Sequence, residues 1–205
     1  MTADGFILHP GALDAVAQTE LAAAVITATA NAPFYSPVTP GGKPMSVRQT
    51  SFGPLGWVTD AKGYRYSDRH PVTGAPWPAM PASLLALWAR YADADRPPDS
   101  CLINLYLGDA KMGLHVDADE ADMTAPVLGL SLGDTALFRI GGPARKDPTQ
   151  SVRLASGDIN ILTGAARRAY HGVDWIIAGS SRLIPPFADH PGGGRLNLTL
   201  RRARG

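Results

Sequence analysis

The stretch RLNLTLR, residues 195–201, sets Arg195, Asn197, Thr199 and Arg201 against Leu196, Leu198 and Leu200 in an unbroken period of two. Only an extended strand sorts alternate side chains onto opposite faces, so this segment predicts a strand with one leucine face and one polar, doubly cationic face. A polar face turned to water is the ordinary arrangement, whereas one turned inward marks a site. An arginine fork matches the two oxygens of a carboxylate. Six residues of strand cover about 20 Å, so two inward guanidinium arms would suit the ends of a small dicarboxylate.

Upstream the chain reads as a run of further short strands: CLINLYL (101–107), GLHVD (113–117), APVLGLSL (125–132), TALFRIG (135–141), SVRLAS (151–156), DINILT (158–163), RAYHGV (168–173) and SRLI (181–184). No helix-length amphipathic segment separates them, which excludes βαβ units and predicts an antiparallel jelly roll. Before residue 100 the texture differs. A helix is expected from Asp14 to Thr29, and a second in MPASLLALWARYADAD (80–95), with Ser83 as its cap and a stripe of Leu84, Leu87, Trp88 and Tyr91. Between them LGWVTDAKGYRYSD (55–68) reads as a hairpin turning at Gly63. The fold class is therefore mainly β with flanking helices. The run ADHPGGG (188–194) reads as a loop, with His190 exposed.

At 205 residues, 45% hydrophobic and 18% charged, the chain can build one sizeable core. Its single cysteine, Cys101, excludes an internal disulfide and a cysteine-based zinc cluster, and suits a reducing cytoplasm. The most apolar early segment, LAAAVITATA (21–30), is too short to span a bilayer, so no membrane partner is expected. A net charge of +1 neither requires nor excludes nucleic acid, so any basic surface must be local.

The candidate chemistry sits in GLHVDADE (113–120). His115 and Asp117, two apart on a strand, would project together, and His171 in YHGV can return opposite them in an antiparallel barrel. Two imidazoles and one carboxylate leave half an octahedral shell open, the arrangement of a non-haem Fe(II) centre that admits a co-substrate and dioxygen; a hydrolytic zinc site is the competing reading. With inward arginines beside it, 2-oxoglutarate fits as the dicarboxylate. Glu120 reads as a solvated strand-end residue.

These motifs, together with INLY (103–106) and LGWVTDAKGYRYS (55–67), resemble the AlkB-type Fe(II)- and 2-oxoglutarate-dependent dioxygenases that repair alkylated nucleobases. The resemblance runs from about Thr39 to Arg201 and includes PWPAMP (76–81), SLG (131–133) and GGPARKDP (141–148). It implies a double-stranded β-helix core over 81–205, with an N-terminal helix and nucleotide-recognition lid over 1–80 in one integrated catalytic domain. It implies that His115, Asp117 and His171 form the catalytic Fe(II) centre, with 2-oxoglutarate and O2 as co-substrates. Asn104, Tyr106, Arg195, Asn197 and Arg201 would bind 2-oxoglutarate. Trp57, Tyr64, Tyr66, Asp119 and Arg145 would contact the nucleotide, and Asp119 would favour cationic lesions such as 1-methyladenine and 3-methylcytosine. Ala118 stands where bacterial relatives often carry a basic residue.

The implied activity is oxidative dealkylation of DNA, releasing an aldehyde and restoring the base, by a monomer acting on a single-stranded or flipped base. The alternatives are the same oxidation on RNA, on a protein or on a small molecule, and a jelly-roll binding module with no catalysis.

Overall fold

In the computed structural model, which describes residues 4–92, 94–186 and 192–204, the alternating segment becomes β12 (Arg195–Arg201), central to the larger of two main sheets. β12 pairs antiparallel with β5 (Ser100–Tyr106) on one side and β7 (Val127–Gly133) on the other. β10 (Ile159–Leu162) and β1 (Phe6–His9) extend the sheet beyond β7, and β2 (Arg48–Phe52) extends it beyond β5, giving six strands in the order β1-β10-β7-β12-β5-β2. A second, four-stranded sheet runs β6 (Met112–His115), β11 (His171–Ile177), β8 (Thr135–Ile140), β9 (Gln150–Leu154).

The leucine face of β12 is the core face. Leu196, Leu198 and Leu200 are fully buried with Ile103, Leu128 and Leu130, against Leu21 and Val25 of α1 (Ala15–Ala28) and Leu84 and Trp88 of α2 (Ala82–Tyr91). Both helices thus cover the outer face of the large sheet and leave its polar face free to look inward. Across that inner space Tyr106 and Val127 of the large sheet share a second cluster with Phe138, Ile140 and Val173 of the small one. Two antiparallel sheets packed face to face in this way form the expected jelly roll.

Several local expectations change. Asp14 caps α1, accepting from Ala17 N at 2.9 Å, but α2 begins after Pro81 with no side-chain cap, and Ser83 lies inside its first turn. SRLI (181–184) forms no strand, and its first residue is tied to the loop between β7 and β8: Ser181 N donates to Asp134 Oδ1 at 2.9 Å. RAYHGV divides into a short 3-10 helix, Gly164–Arg168, and the start of β11. β1 and β2 are strands that the hydropathy pattern did not mark; both precede residue 80 yet belong to the large sheet. His190, with the rest of 187–191, lies outside the described residues.

The remaining element is the hairpin of β3 (Gly56–Asp60) and β4 (Gly63–Ser67), closed at Gly63 with φ 103°. It is a separate two-stranded sheet, with Val58 packed in a small cluster with Ala32 and Trp77. Its Trp57 and Tyr64 stand at the mouth of the cavity between the main sheets.

Candidate active site

His115 ends β6 and His171 begins β11, and the two are direct cross-strand partners. Such a pair brings side chains within contact, and the rings stand 4.5 Å apart. A Cβ at Gly172 would sit 2.5 Å from the Met112 carbonyl oxygen, so glycine is what lets β11 close on β6 beside the histidines. Asp117 lies just past the end of β6 rather than on the strand, and reaches the same point. Its Oδ1 is 3.7 Å from His115 Nε2 and its Oδ2 is 3.7 Å from His171 Nε2.

The protons on these histidines are fixed by their neighbours. His115 Nδ1 is 2.9 Å from the Gly113 carbonyl oxygen, and His171 Nδ1 is 3.0 Å from that of Ala169. A carbonyl can only accept, so each Nδ1 carries a hydrogen, which leaves Nε2, on the side of Asp117, as the ring nitrogen available to a metal. Burial pushes the His171 imidazole down to about 4, which keeps it neutral and ligating at physiological pH. Burial pushes the Asp117 carboxyl up, but Arg201, together with His171, His115 and Arg167, more than offsets it and holds the group well below the usual carboxylate range. The three ligand atoms lie within 4.8 Å of one another, a spacing one metal ion can bridge.

Behind the trio lies a buried charge network. Arg201 donates from Nη2 to Asp117 Oδ1 at 2.8 Å and from Nη1 to Glu120 Oε1 at 3.0 Å. Glu120 Oε2 accepts from Arg167 Nη2 at 2.8 Å, and the Tyr66 hydroxyl donates to Oε1. Arg167 also donates to the Asp117 carbonyl. Glu120 is only 5% exposed, which corrects its reading as a solvated strand-end residue. Tyr66 stands in this network rather than on the cavity wall.

The cavity beside the trio has a volume of about 670 Å³ and runs between the two main sheets. Its floor is the polar face of β12 and the strands flanking it. Gln49, Asn104, Asn197 and Ser131 form one cross-strand row, and Arg195 and Tyr106 form a neighbouring pair. Arg195 is 1% exposed and donates to the carbonyls of Asp134 and Leu154, each at 3.0 Å, and to Ser131 Oγ at 2.7 Å. Among the described residues no carboxylate pairs with it, and its Nε has no partner. Burial pushes its guanidinium down to about 10, so it remains charged. A buried cation matched only by neutral acceptors is costly, and an anion in the cavity relieves that cost. Burial also pushes the Tyr106 phenol up to about 12, leaving it a donor.

The other expected positions are distributed around this floor. Asn197 donates to Leu130 O at 3.3 Å and accepts from Thr199 Oγ1 at 3.1 Å. Arg201 lines the cavity, but both terminal nitrogens serve carboxylates, leaving its buried Nε without a partner. At the mouth Trp57 and Tyr64 are stacked, centroids 5.5 Å apart, and Trp57 Nε1 donates to Asp119 Oδ2 at 2.6 Å. Arg145, exposed, donates to Leu114 O at 2.8 Å and lies over the Tyr170 ring. The structure thus gathers every expected residue at or directly behind one cavity. Glu120, Arg167 and Gln49 are participants that the sequence reading did not assign.

Comparisons with known proteins agree with this geometry. A profile of the 2OG-Fe(II) oxygenase superfamily matches residues 5–201. The chain is 60% identical, over 98% of its own length and 88% of the relative's, to a protein of Caulobacter vibrioides named alpha-ketoglutarate-dependent dioxygenase AlkB homolog. It is 45% identical to alpha-ketoglutarate-dependent dioxygenase AlkB of Escherichia coli K12, over 83% of this chain and 78% of that one. The solved structure of OsALKBH1 superposes with a TM-score of 0.78 at 30% identity, covering 97% of this chain and 96% of the other.

Proposed function

The chain belongs to the AlkB-type branch of the 2OG-Fe(II) oxygenase superfamily, and from that premise we propose that it dealkylates N-alkylated bases of DNA, with His115, Asp117 and His171 as its iron ligands. It is an Fe(II)- and 2-oxoglutarate-dependent dioxygenase with nucleic acid as its substrate class. The ligand set suits that metal: two imidazoles whose Nε2 atoms converge and one carboxylate paired with Arg201. When bound, Fe(II) with 2-oxoglutarate and O2 supplies oxidation of the N-alkyl carbon, with succinate and CO2 as co-products. The hydroxylated alkyl group then leaves the ring nitrogen as an aldehyde, and the base is restored.

The chain's own residues bind and orient. Arg195, the buried cation without a carboxylate, takes one carboxylate of 2-oxoglutarate, with the Tyr106 hydroxyl as a further donor. Asn104, Asn197 and the free Nε of Arg201 line the rest of the co-substrate seat. Arg201 also holds Asp117 in its ligating position. At the mouth Trp57 stacks on a base swung out of its strand, with Tyr64 extending the platform, and Asp119 favours a base that carries positive charge. Tyr66 anchors the hairpin through Glu120, and Arg145 meets the strand. The hairpin serves as the nucleotide-recognition lid of the N-terminal segment. Single-stranded or unpaired lesions, which need no duplex opening, are the better substrates, and the enzyme acts as a cytoplasmic monomer.

The observation that carries this reading is the convergence of the three ligand atoms beside a cavity whose floor holds an unmatched arginine. The test is aerobic turnover with Fe(II) and 2-oxoglutarate on DNA and RNA oligomers bearing 1-methyladenine or 3-methylcytosine, scored by mass. Restored DNA base with stoichiometric succinate is expected, and His171→Ala should abolish both while oligomer binding persists. Succinate formed only with RNA, protein or a free small molecule would overturn the substrate assignment.

A further inference from the structure

Gln49 lies on β2, a polar strand buried throughout its centre, and faces Asn104 directly across the ladder. It is 1% exposed and Asn104 is 5% exposed. Gln49 Nε2 donates to Asn104 Oδ1 at 2.8 Å, and Gln49 Oε1 has no partner among the described residues. The backbone of Gln49 is clamped from its other side, accepting from Tyr35 N at 3.1 Å and donating to Tyr35 O at 2.8 Å. The strand is thus fixed in place, and the buried side chain stays beside Asn104.

An amide has one accepting and one donating end. With Oδ1 of Asn104 engaged by Gln49, the NH2 end is the one turned to the cavity. If Asn104 alone were reversed, its NH2 would oppose the Gln49 NH2, two donors with no acceptor between them in a buried place. The rest of the row is equally committed: Asn197 already accepts from Thr199 and donates to Leu130. A cavity built for an anion needs donors, and the Gln49–Asn104 pair supplies one in a fixed direction.

We propose that Gln49 is a positioning residue for co-substrate binding: its amide fixes that of Asn104 so that an N–H, rather than a carbonyl, faces 2-oxoglutarate. The inference rests on the reading of Asn104 as a co-substrate contact, and Gln49 itself touches no reacting atom. Its replacement should weaken 2-oxoglutarate binding and leave turnover at saturating 2-oxoglutarate almost unchanged.

The test is calorimetric titration of 2-oxoglutarate into the Mn(II)-loaded full chain under conditions without turnover, with thermal melts as a folding control. Gln49→Met, which removes the donor at similar volume, should raise the Kd about three- to tenfold, the scale of one misdirected hydrogen bond. Gln49→Glu should be worse than Gln49→Met, because a carboxylate draws the Asn104 NH2 to itself and turns the Asn104 carbonyl into the cavity. In an Asn104→Leu background, Gln49→Met should add nothing further. Steady-state assays should show the KM for 2-oxoglutarate rising in Gln49→Met with kcat within about twofold. Failure of the unaltered chain to bind 2-oxoglutarate would overturn the parent reading of the site. Normal binding that is weakened by Asn104→Leu but untouched by Gln49→Met, or a full Gln49→Met effect persisting without Asn104, would overturn the positioning role alone.

Discussion

Replacing Glu120 with glutamine is a demanding test of the buried network, because the change is nearly isosteric and alters only charge and one acceptor. In the folded chain Glu120 Oε1 receives the Tyr66 hydroxyl and Arg201 Nη1 at 3.0 Å, while Oε2 receives Arg167 Nη2 at 2.8 Å. Burial pushes this carboxyl up, yet Arg201 and the hydrogen bonds from Tyr66 and Arg167 together hold it below its ordinary range. Glutamine keeps one acceptor but sets an NH2 against a guanidinium and leaves two buried arginines with one fewer anion. Removing one partner of a buried ion pair costs about 3–5 kcal/mol, and the retained acceptor puts this variant at the lower end, roughly 3 kcal/mol. For a chain of this length that is a fall of about 6–12 °C in Tm. Melts of the metal-free variant followed by circular dichroism measure it directly. Tyr66→Phe should cost only about 1 kcal/mol, the scale of a single hydrogen bond, and should couple to Glu120→Gln in a double-mutant cycle. A Glu120→Gln melt within about 1 °C of the parent would refute the reasoning, since it is the behaviour of a solvated surface acid.

Three further outcomes follow from the same geometry. Arg195→Met should raise the KM for 2-oxoglutarate by about a hundredfold, the cost of losing a charge-assisted pair in a desolvated site, while the oligonucleotide KM stays within about twofold. Trp57→Ala should do the reverse, raising the oligonucleotide KM by about five- to a hundredfold for a lost base stack while the 2-oxoglutarate KM is unchanged. In metal-free protein, stability to urea should decline as pH falls below 6.5 and through about 4, because buried His171 resists a proton that the unfolded chain accepts; Asp117 and Glu120, both held low, extend the loss to more acid pH. Stability that is flat from pH 7 to 5 would contradict a buried neutral His171.

The parts of the fold that the sequence made legible are those with a local rule. β12 declares itself by alternation, and its polar face points where two arginines in a sheet interior must point, into a cavity. The convergence of His115 and His171 follows from adjacent antiparallel strands, which strand counting anticipates. β2 escapes a hydropathy reading because RQTSF is polar and hydropathy reads burial only through apolar side chains; its Gln49, Thr50 and Ser51 are buried although β2 is the edge strand, with β5 on one side and Tyr35 bridging Gln49 on the other. The burial of Glu120 is hidden in the sequence for a similar reason. Nothing in GLHVDADE distinguishes it from its solvated neighbour Asp119, because the arginines that bury it arrive from 47 and 81 positions along the chain. Ser83 does not cap because α2 already begins at Ala82, with Pro81 in the N-cap position.

The central claim is a single ion shared by His115, Asp117 and His171, with a keto diacid seated on Arg195. It is tested most directly by anomalous diffraction from crystals grown with Mn(II) and 2-oxoglutarate. One strong anomalous peak within bonding distance of His115 Nε2, His171 Nε2 and an Asp117 oxygen, with a carboxylate of the co-substrate against Arg195, is the predicted result. A peak elsewhere in the chain, or co-substrate density away from Arg195, would contradict it.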